Sequence, residues 1–257
     1  DDDGLALYFP PQDARRAQGS DVLTAHLLSL HYALQPLDRT FSLPEAERAR
    51  MESGLVDFVE GRVERQHWSP GKDLDVRKLA AIAALADAGK ARPAMLSSVQ
   101  LNPATWPTHA LIDWLRILQR MPELPLRDSR MQEAEQLLKT RLSYQGTQVG
   151  FSTEAQDQWW WLMQNTDVNV ARLLLTTLGD ARWDTERARL VTGLLARQQQ
   201  GHWGTTVANT WVDVALRSFS QRHEHEPVTG NTTALLGAAT QTVHWDAPAL
   251  SADATAL

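Results

Sequence analysis

The sequence predicts an all-α protein in which buried helices alternate with amphipathic ones, the pattern of an α/α toroid, followed by a short β segment at the C-terminus. Three observations carry this. Apolar residues recur at helical spacing from about Asp21 to Arg222. Helix start and stop residues punctuate that stretch. A short Asp-Val pattern returns in helices that are apolar around most of their circumference.

Taken in order, Ser20 and Asp21 can cap a first helix with Val22, Ala25, Leu28 and Tyr32 on one face, and Pro36 stops it after Leu34. Pro44 with Glu45 opens a second helix, at the first-turn position proline tolerates, and this one keeps a charged face from Glu45 to Glu64. Asp73 and Asp75 precede a third, ended by Gly89 beyond Asp87 and Ala88. Pro122 ends another after Met121, and Ser129 to Leu142 is amphipathic, with Met131, Ala134 and Leu138 in register. Gly146 and Gly150 around Val149 and Phe151 predict a hairpin or extended loop over Tyr144 to Ser152. A helix from Asp167 stops at Gly179 after Leu178, and Asp184 precedes one to Gln199 that aligns Leu190 and Leu194, with Ala188 and Val191 beside them. Thr205 or Thr206 caps the last helix, so Trp203 is expected to fold over its start and Trp211 to face the core. This amounts to about nine helices. Beyond Pro227, Val228 to Thr233 and Gln241 to Trp245 are β-branched and turn-rich, as a neighbouring β module would be.

The repeat sets the layers. Asp21-Val22-x-x-Ala25-x-Leu27-Leu28 is echoed by Asp75-Val76-x-x-Leu79-x-Ala81-Ile82, by Asp167-Val168-x-x-Ala171-x-Leu173-Leu174, and more faintly by Thr206-Val207-x-x-Thr210-x-Val212. These are the inner helices, and the charged ones between them form an outer ring. Their unequal spacing favours a closed toroid over an open solenoid, whose repeats are even.

Composition excludes several functions. The chain has 257 residues, 43% of them apolar and 22% charged, an ordinary globular profile. Its net charge of −6, with basic residues scattered among acids, suits no phosphate backbone, so nucleic acid is not an expected partner. No apolar run is long enough to span a bilayer. The absence of cysteine removes thiol nucleophiles, thiolate zinc sites and Fe–S clusters.

Four groups of residues are candidates for chemistry. Asp1, Asp2 and Asp3 read as a solvated end rather than a metal motif. His223 and His225, two apart at a helix end, lack third and fourth ligands, so no metal is expected. Asp21, Asp75 and Asp167 could gather at one mouth as the paired carboxylates of a glycan-active enzyme, but each stands where an N-cap is wanted. Trp159, Trp160 and Trp161 are the other sugar-like signal, since stacked indoles bind pyranose faces, but three consecutive Trp cannot share one face of a helix or strand, and core packing with closure of the loop before Asp167 is the preferred reading. No catalytic or cofactor-binding residue is assigned.

Several stretches nevertheless look like a known family. Gln198-Gln199-Gln200-Gly201-His202-Trp203-Gly204-Thr205-Thr206-Val207-Ala208-Asn209-Thr210-Trp211, followed by Val214-Ala215-Leu216, resembles the Gly-x-Trp-x-x-Thr-x-x-Asn-x-Trp-x-x-x-Ala-Leu stretch of the thioester domain in bacterial α2-macroglobulins. Gly19 to Leu28 resembles that domain's Ser-Asp-x-x-Leu-Thr-Ala-Tyr helix, and Trp159 to Leu162 with Asp167 to Ala171 its Trp-rich turn into an Asp-x-Asn helix.

The likeness runs from about Asp3 to Arg222 and implies a toroid of six hairpins over residues 1–226, its first hairpin upstream of Asp1, with 227–257 opening a flanking β-sandwich module. It further implies a periplasmic protease inhibitor of host-defence type, its parent associated with the inner membrane, that is cut in a bait region and encloses the attacker. Many members acylate the protease through a Cys-x-Glu-Gln thioester, and this stretch has no cysteine. Either the thioester lies upstream or the parent belongs to a thioester-free branch that works with partner proteins. The expected partners are target proteases, the flanking β modules and partner subunits, the last through Trp159, Trp160 and Trp161. A glycan-active toroid using Asp21, Asp75 and Asp167 is the competing reading.

Overall fold

A computed structural model describes residues 1–10, 18–38, 40–66, 68–224, 229–237 and 239–245. These form two compact units, Asp1–Ser218 and Phe219–Leu257.

The first unit is helical. Its helices are α1 (Asp21–Leu34), α2 (Glu45–Val59), α3 (Leu74–Asp87), α4 (Thr108–Arg120), α5 (Arg127–Thr140), α6 (Thr166–Thr177) and α7 (Asp184–Ala196), with α8 (Thr206–His223) running into the second unit. A hairpin of β1 (Leu142–Gln145) and β2 (Gln148–Phe151) pairs Leu142 with Phe151 and turns at Gly146, whose φ of 59° suits glycine. Short 3-10 turns occupy Pro93–Ser98, Pro103–Thr105, Trp160–Leu162 and Ala181–Trp183.

The helix ends follow the sequence, with one revision in the caps. Ser20 Oγ accepts from the Leu23 N–H at 3.2 Å, Asn165 Oδ1 from Val168 at 3.0 Å and Thr205 Oγ1 from Ala208 at 3.1 Å. The aspartates expected to cap do not. Asp21 and Asp167 lie inside the first turns of their helices and turn to arginines instead, as described below. Gly89, at φ 67°, closes α3.

Helices α1, α3, α4 and α6 pack in succession, each against the next. Trp211 of α8 touches both ends of that series: its ring meets His26 of α1 edge-on at 5.8 Å, and the Arg172 guanidinium of α6 lies 5.5 Å from its centroid. Outside them, α2 covers α1 and α3, α5 covers α4, and α7 covers α6 and β2. The buried leucines and isoleucines lie where the layers meet: Leu28, Leu79, Ile82, Leu111, Ile112, Leu173 and Leu194 are all fully covered. Each contributes roughly 1.5–3 kcal/mol of hydrophobic stabilisation. Helix α4 is an inner helix that the Asp-Val repeat does not mark. It is buried along nearly its whole length, from Thr108 to Leu118, because both α3 and α6 flank it.

Two close approaches fix the layers. A Cβ on Gly193 of α7 would stand 2.2 Å from the Val149 carbonyl oxygen, so glycine lets the helix lie on β2. At the N-terminus Asp2 and Asp3 are exposed, as expected of a solvated end, but Asp1 is built in. The Asp1 carboxylate is buried and accepts from the Leu5 and Gly19 N–H groups at 2.8 and 2.7 Å and from Arg65 at 2.7 Å. Arg65 also reaches Asp3.

In the second unit, β3 (Gly230–Leu236) pairs antiparallel with β4 (Ala239–Trp245), with Thr233 and Thr242 hydroxyls 3.1 Å apart across the ladder. This is the β segment that the change of composition after Pro227 predicts.

Candidate functional site

The inner helices start at one mouth. Asp21 at the start of α1 faces Arg77 in the first turns of α3, Asn165 before α6 lies 3.4 Å from Thr205 before α8, and Lys72 and Asp75 share a cleft with Trp106 and Pro107 before α4.

Four tryptophans crowd this mouth. The 3-10 turn at Trp160–Leu162 rotates the three consecutive indoles apart, as a left-handed Met163 at φ 56° reverses the chain into α6. Trp161 sits in the middle, 5.1 Å from Trp159, 5.9 Å from Trp160 and 6.4 Å from Trp68. Its indole N–H points at the Asp73 carboxylate, 3.3 Å away. Trp160 is 67% exposed and stacks on Trp68, itself 66% exposed, at 5.5 Å and 29°. Core packing therefore accounts for only part of the run: Trp161 and Trp159 are half-buried, and Trp160 faces outward. Trp68, isolated in a loop sequence, carries no pattern that could have placed it here.

Beside Trp159 lies a cleft of about 550 Å³ lined by Lys72, Asp75, Gln100, Asn102, Arg141 and Gln156 among others. The Trp159 ring is oriented by its N–H bond to the Gln156 carbonyl at 2.9 Å and by His109 edge-on at 5.2 Å.

The carboxylates are otherwise engaged. Asp21 is buried and gripped by Arg77 at 2.9 and 2.6 Å, a bidentate pair. Asp167 pairs with Arg197, which also holds Glu154. Of the three candidates, only Asp75 has no side-chain partner among the described residues and borders the cleft. Both arginine partners are far away in sequence, so the aspartates look like caps until the fold is known.

Below the mouth, polar groups run along the axis between the inner helices, around a cavity of about 30 Å³ bordered by His26, His109, Asp113, Gln164, Arg172 and Trp211. Arg172 is paired with Asp113, and Arg116 with both Asp113 and Asp87. Burial, with Arg172 nearby, lowers the His26 pKa to about 4 and that of His109 to about 3, so both rings are neutral at physiological pH. Neither nitrogen of His109 has a partner among the described residues.

The last helix start explains its own motif. Asn209 accepts from the Trp203 N–H at 3.0 Å and donates to the carbonyls of Trp203 at 2.8 Å and Thr205 at 2.7 Å. Gly201 supplies φ 83°, and the Trp203 indole donates to the Leu194 carbonyl at 3.0 Å. Trp203 thus folds over the helix start and Trp211 faces the core, as its spacing predicts.

Among the described residues, no three His, Cys, Asp or Glu side chains stand close enough to hold a metal ion. His223 stacks near Phe219 at 5.2 Å, while His225 lies outside the described residues. No described helix is long and apolar enough to cross a membrane.

No family model matches this chain, and no curated protein matches it in sequence. Solved structures do. It is similar to trypsin-activated α2-macroglobulin from Escherichia coli at TM-score 0.58 and 15% identity, over 95% of this chain and 15% of that one. The elastase-activated form gives TM-score 0.55 at 14% identity, over 95% of this chain and 20% of that one. Salmonella α2-macroglobulin reacted with methylamine gives 0.58 at 19% identity, again over 95% of this chain and 15% of that one. This chain thus spans a small part of the length of those proteins, and it has the fold of a segment of bacterial α2-macroglobulins.

Proposed function

We propose that the chain is a thioester-domain-type α/α toroid within a periplasmic bacterial α2-macroglobulin-like protease inhibitor, and that it is non-catalytic. The observation that carries this is the fold likeness over 95% of the chain. The closure of α8 onto α1 and α6, and the Asn209-locked turn before α8, support the toroid. With no cysteine in its 257 residues, this stretch cannot supply the sulfur of a thioester. Its contribution in the trap is then a surface for the flanking β modules and partner subunits. The outward Trp160–Trp68 stack, braced from behind by Trp161 and Trp159, is that contact. The glycan-active alternative loses two of its three carboxylates to arginines.

The test is to challenge the full-length protein with a serine protease and a radiolabelled small amine. Cleavage at one exposed loop with enclosure of the protease supports an inhibitor, and amine uptake locates a thioester elsewhere in the chain. Indifference to protease, together with release of reducing ends from a polysaccharide, would overturn the reading.

A further inference from the structure

The cleft beside Trp159 has the dimensions and chemistry of a ligand site. Its volume of about 550 Å³ lies within the roughly 300–1,000 Å³ typical of small-molecule sites. Much of its polar lining is unused: Lys72, Asp75, Gln100, Asn102 and Gln156 make no side-chain hydrogen bond or ion pair among the described residues. Elsewhere at the mouth the charged groups are spent on each other, as with Asp21 and Arg77.

The lining narrows the class of ligand. Lys72 and Arg141 are matched by Asp75 and Asp157, so the cleft carries no net charge to attract a phosphate or a polyanion. Arg141 is further occupied by the Trp106 carbonyl at 2.8 Å, and Asp157 by the Thr153 hydroxyl at 2.8 Å. None of the described residues lining the cleft lies in a strand, so an extended peptide would find no sheet edge there for its main chain. What remains is one oriented indole and several side chains that both donate and accept. A pyranose ring fits that set, since its C–H face lies on an indole while amides and a carboxylate take its hydroxyls in pairs.

We propose that this cleft binds a neutral oligosaccharide, with Trp159 as the stacking platform and Asp75, Gln100, Asn102 and Gln156 as hydroxyl partners. The inference goes beyond the inhibitor reading and does not depend on it, because protease trapping and amine uptake are blind to sugar binding.

The test titrates the chain with cellobiose, maltose and the disaccharide of N-acetylglucosamine, followed by saturation-transfer NMR and tryptophan fluorescence. At least one should bind saturably, with the transferred signal strongest on its ring C–H protons. Gln156→Ala and Asn102→Ala should each raise Kd about two- to tenfold, the worth of one hydrogen bond, with the melting temperature unchanged because both side chains are exposed and unpartnered. Trp159→Phe, which keeps a ring against Trp161, should weaken binding as well. Absence of saturable binding by the unaltered chain, or binding indifferent to all three substitutions, would overturn the proposal.

Discussion

Replacing Trp211 by alanine probes most directly the contacts that tie α8 to α1 and α6. The ring is 3% exposed. A buried indole covers roughly 150–250 Å², which at about 25 cal/mol per Å² corresponds to about 4–6 kcal/mol. Residual structure in the unfolded chain reduces this by roughly 10–40%. The edge contact to His26 and the Arg172 guanidinium over the ring add to the loss. The indole N–H, however, has no partner among the described residues, and deleting it relieves about 1 kcal/mol. The net expectation is a loss of about 3–5 kcal/mol, in line with large buried aromatics elsewhere. Urea unfolding followed by far-ultraviolet circular dichroism measures it, provided the m-value is unchanged. Trp211→Phe, which keeps the ring contacts and removes the unpaired donor, should cost less than about 2 kcal/mol. A loss below about 1 kcal/mol for the alanine variant would mean that α8 is not held to α1 and α6 through this residue.

Four further outcomes follow from the same geometry. Stability should fall as pH drops below about 6.5, the unfolded histidine value, and level off near the folded values of about 4 and 3 for His26 and His109. The unfolded state binds protons that the buried neutral rings refuse, at about 1.4 kcal/mol per unit. Unfolding titrations of His109→Phe should show a shallower slope across that window, and an equal slope would refute the assignment. Arg77→Met leaves Asp21 buried and unpaired and should cost about 3–5 kcal/mol, while Arg77→Met with Asp21→Leu should recover much of it. Gly193→Ala should destabilise by about 1–3 kcal/mol by driving α7 off Val149, whereas Gly71→Ala, with nothing within 4 Å, should be neutral. Asn209→Ala removes three hydrogen bonds from the turn before α8 and should lower the urea midpoint by an amount equivalent to about 2–3 kcal/mol.

Most of the architecture was legible because helix ends are written locally. Ser20, Gly89, Gly179 and Thr205 act within a few residues of themselves, and a period of 3.6 declares a face. Helix α4 escaped the repeat because the motif was read at its Asp-Val start, while α4 begins Pro-Thr-His and owes its inner position to neighbours on both sides. The mouth was half legible. Three consecutive indoles announce that something is there, but Trp68 joins them through a loop with no period of its own. The fates of Asp21 and Asp167 were hidden for the same reason: their arginines arrive from 56 and 30 residues away, and nothing in a carboxylate's local text separates a cap from an ion pair. The same holds for Asp1, whose partners Gly19 and Arg65 lie 18 and 64 residues away.

The charged series Asp87, Arg116, Asp113 and Arg172 along the axis has a mechanical meaning. Greasy helix faces slide past one another by a methyl group at little cost, but a guanidinium fork that slips by half a turn strands a bare charge in a dry interior. Three neighbouring helices are thereby keyed like gear teeth, able to mesh in one setting. Sliding any one of them past the others would break every tooth at once, so these three helices move, if at all, as a single rigid cog.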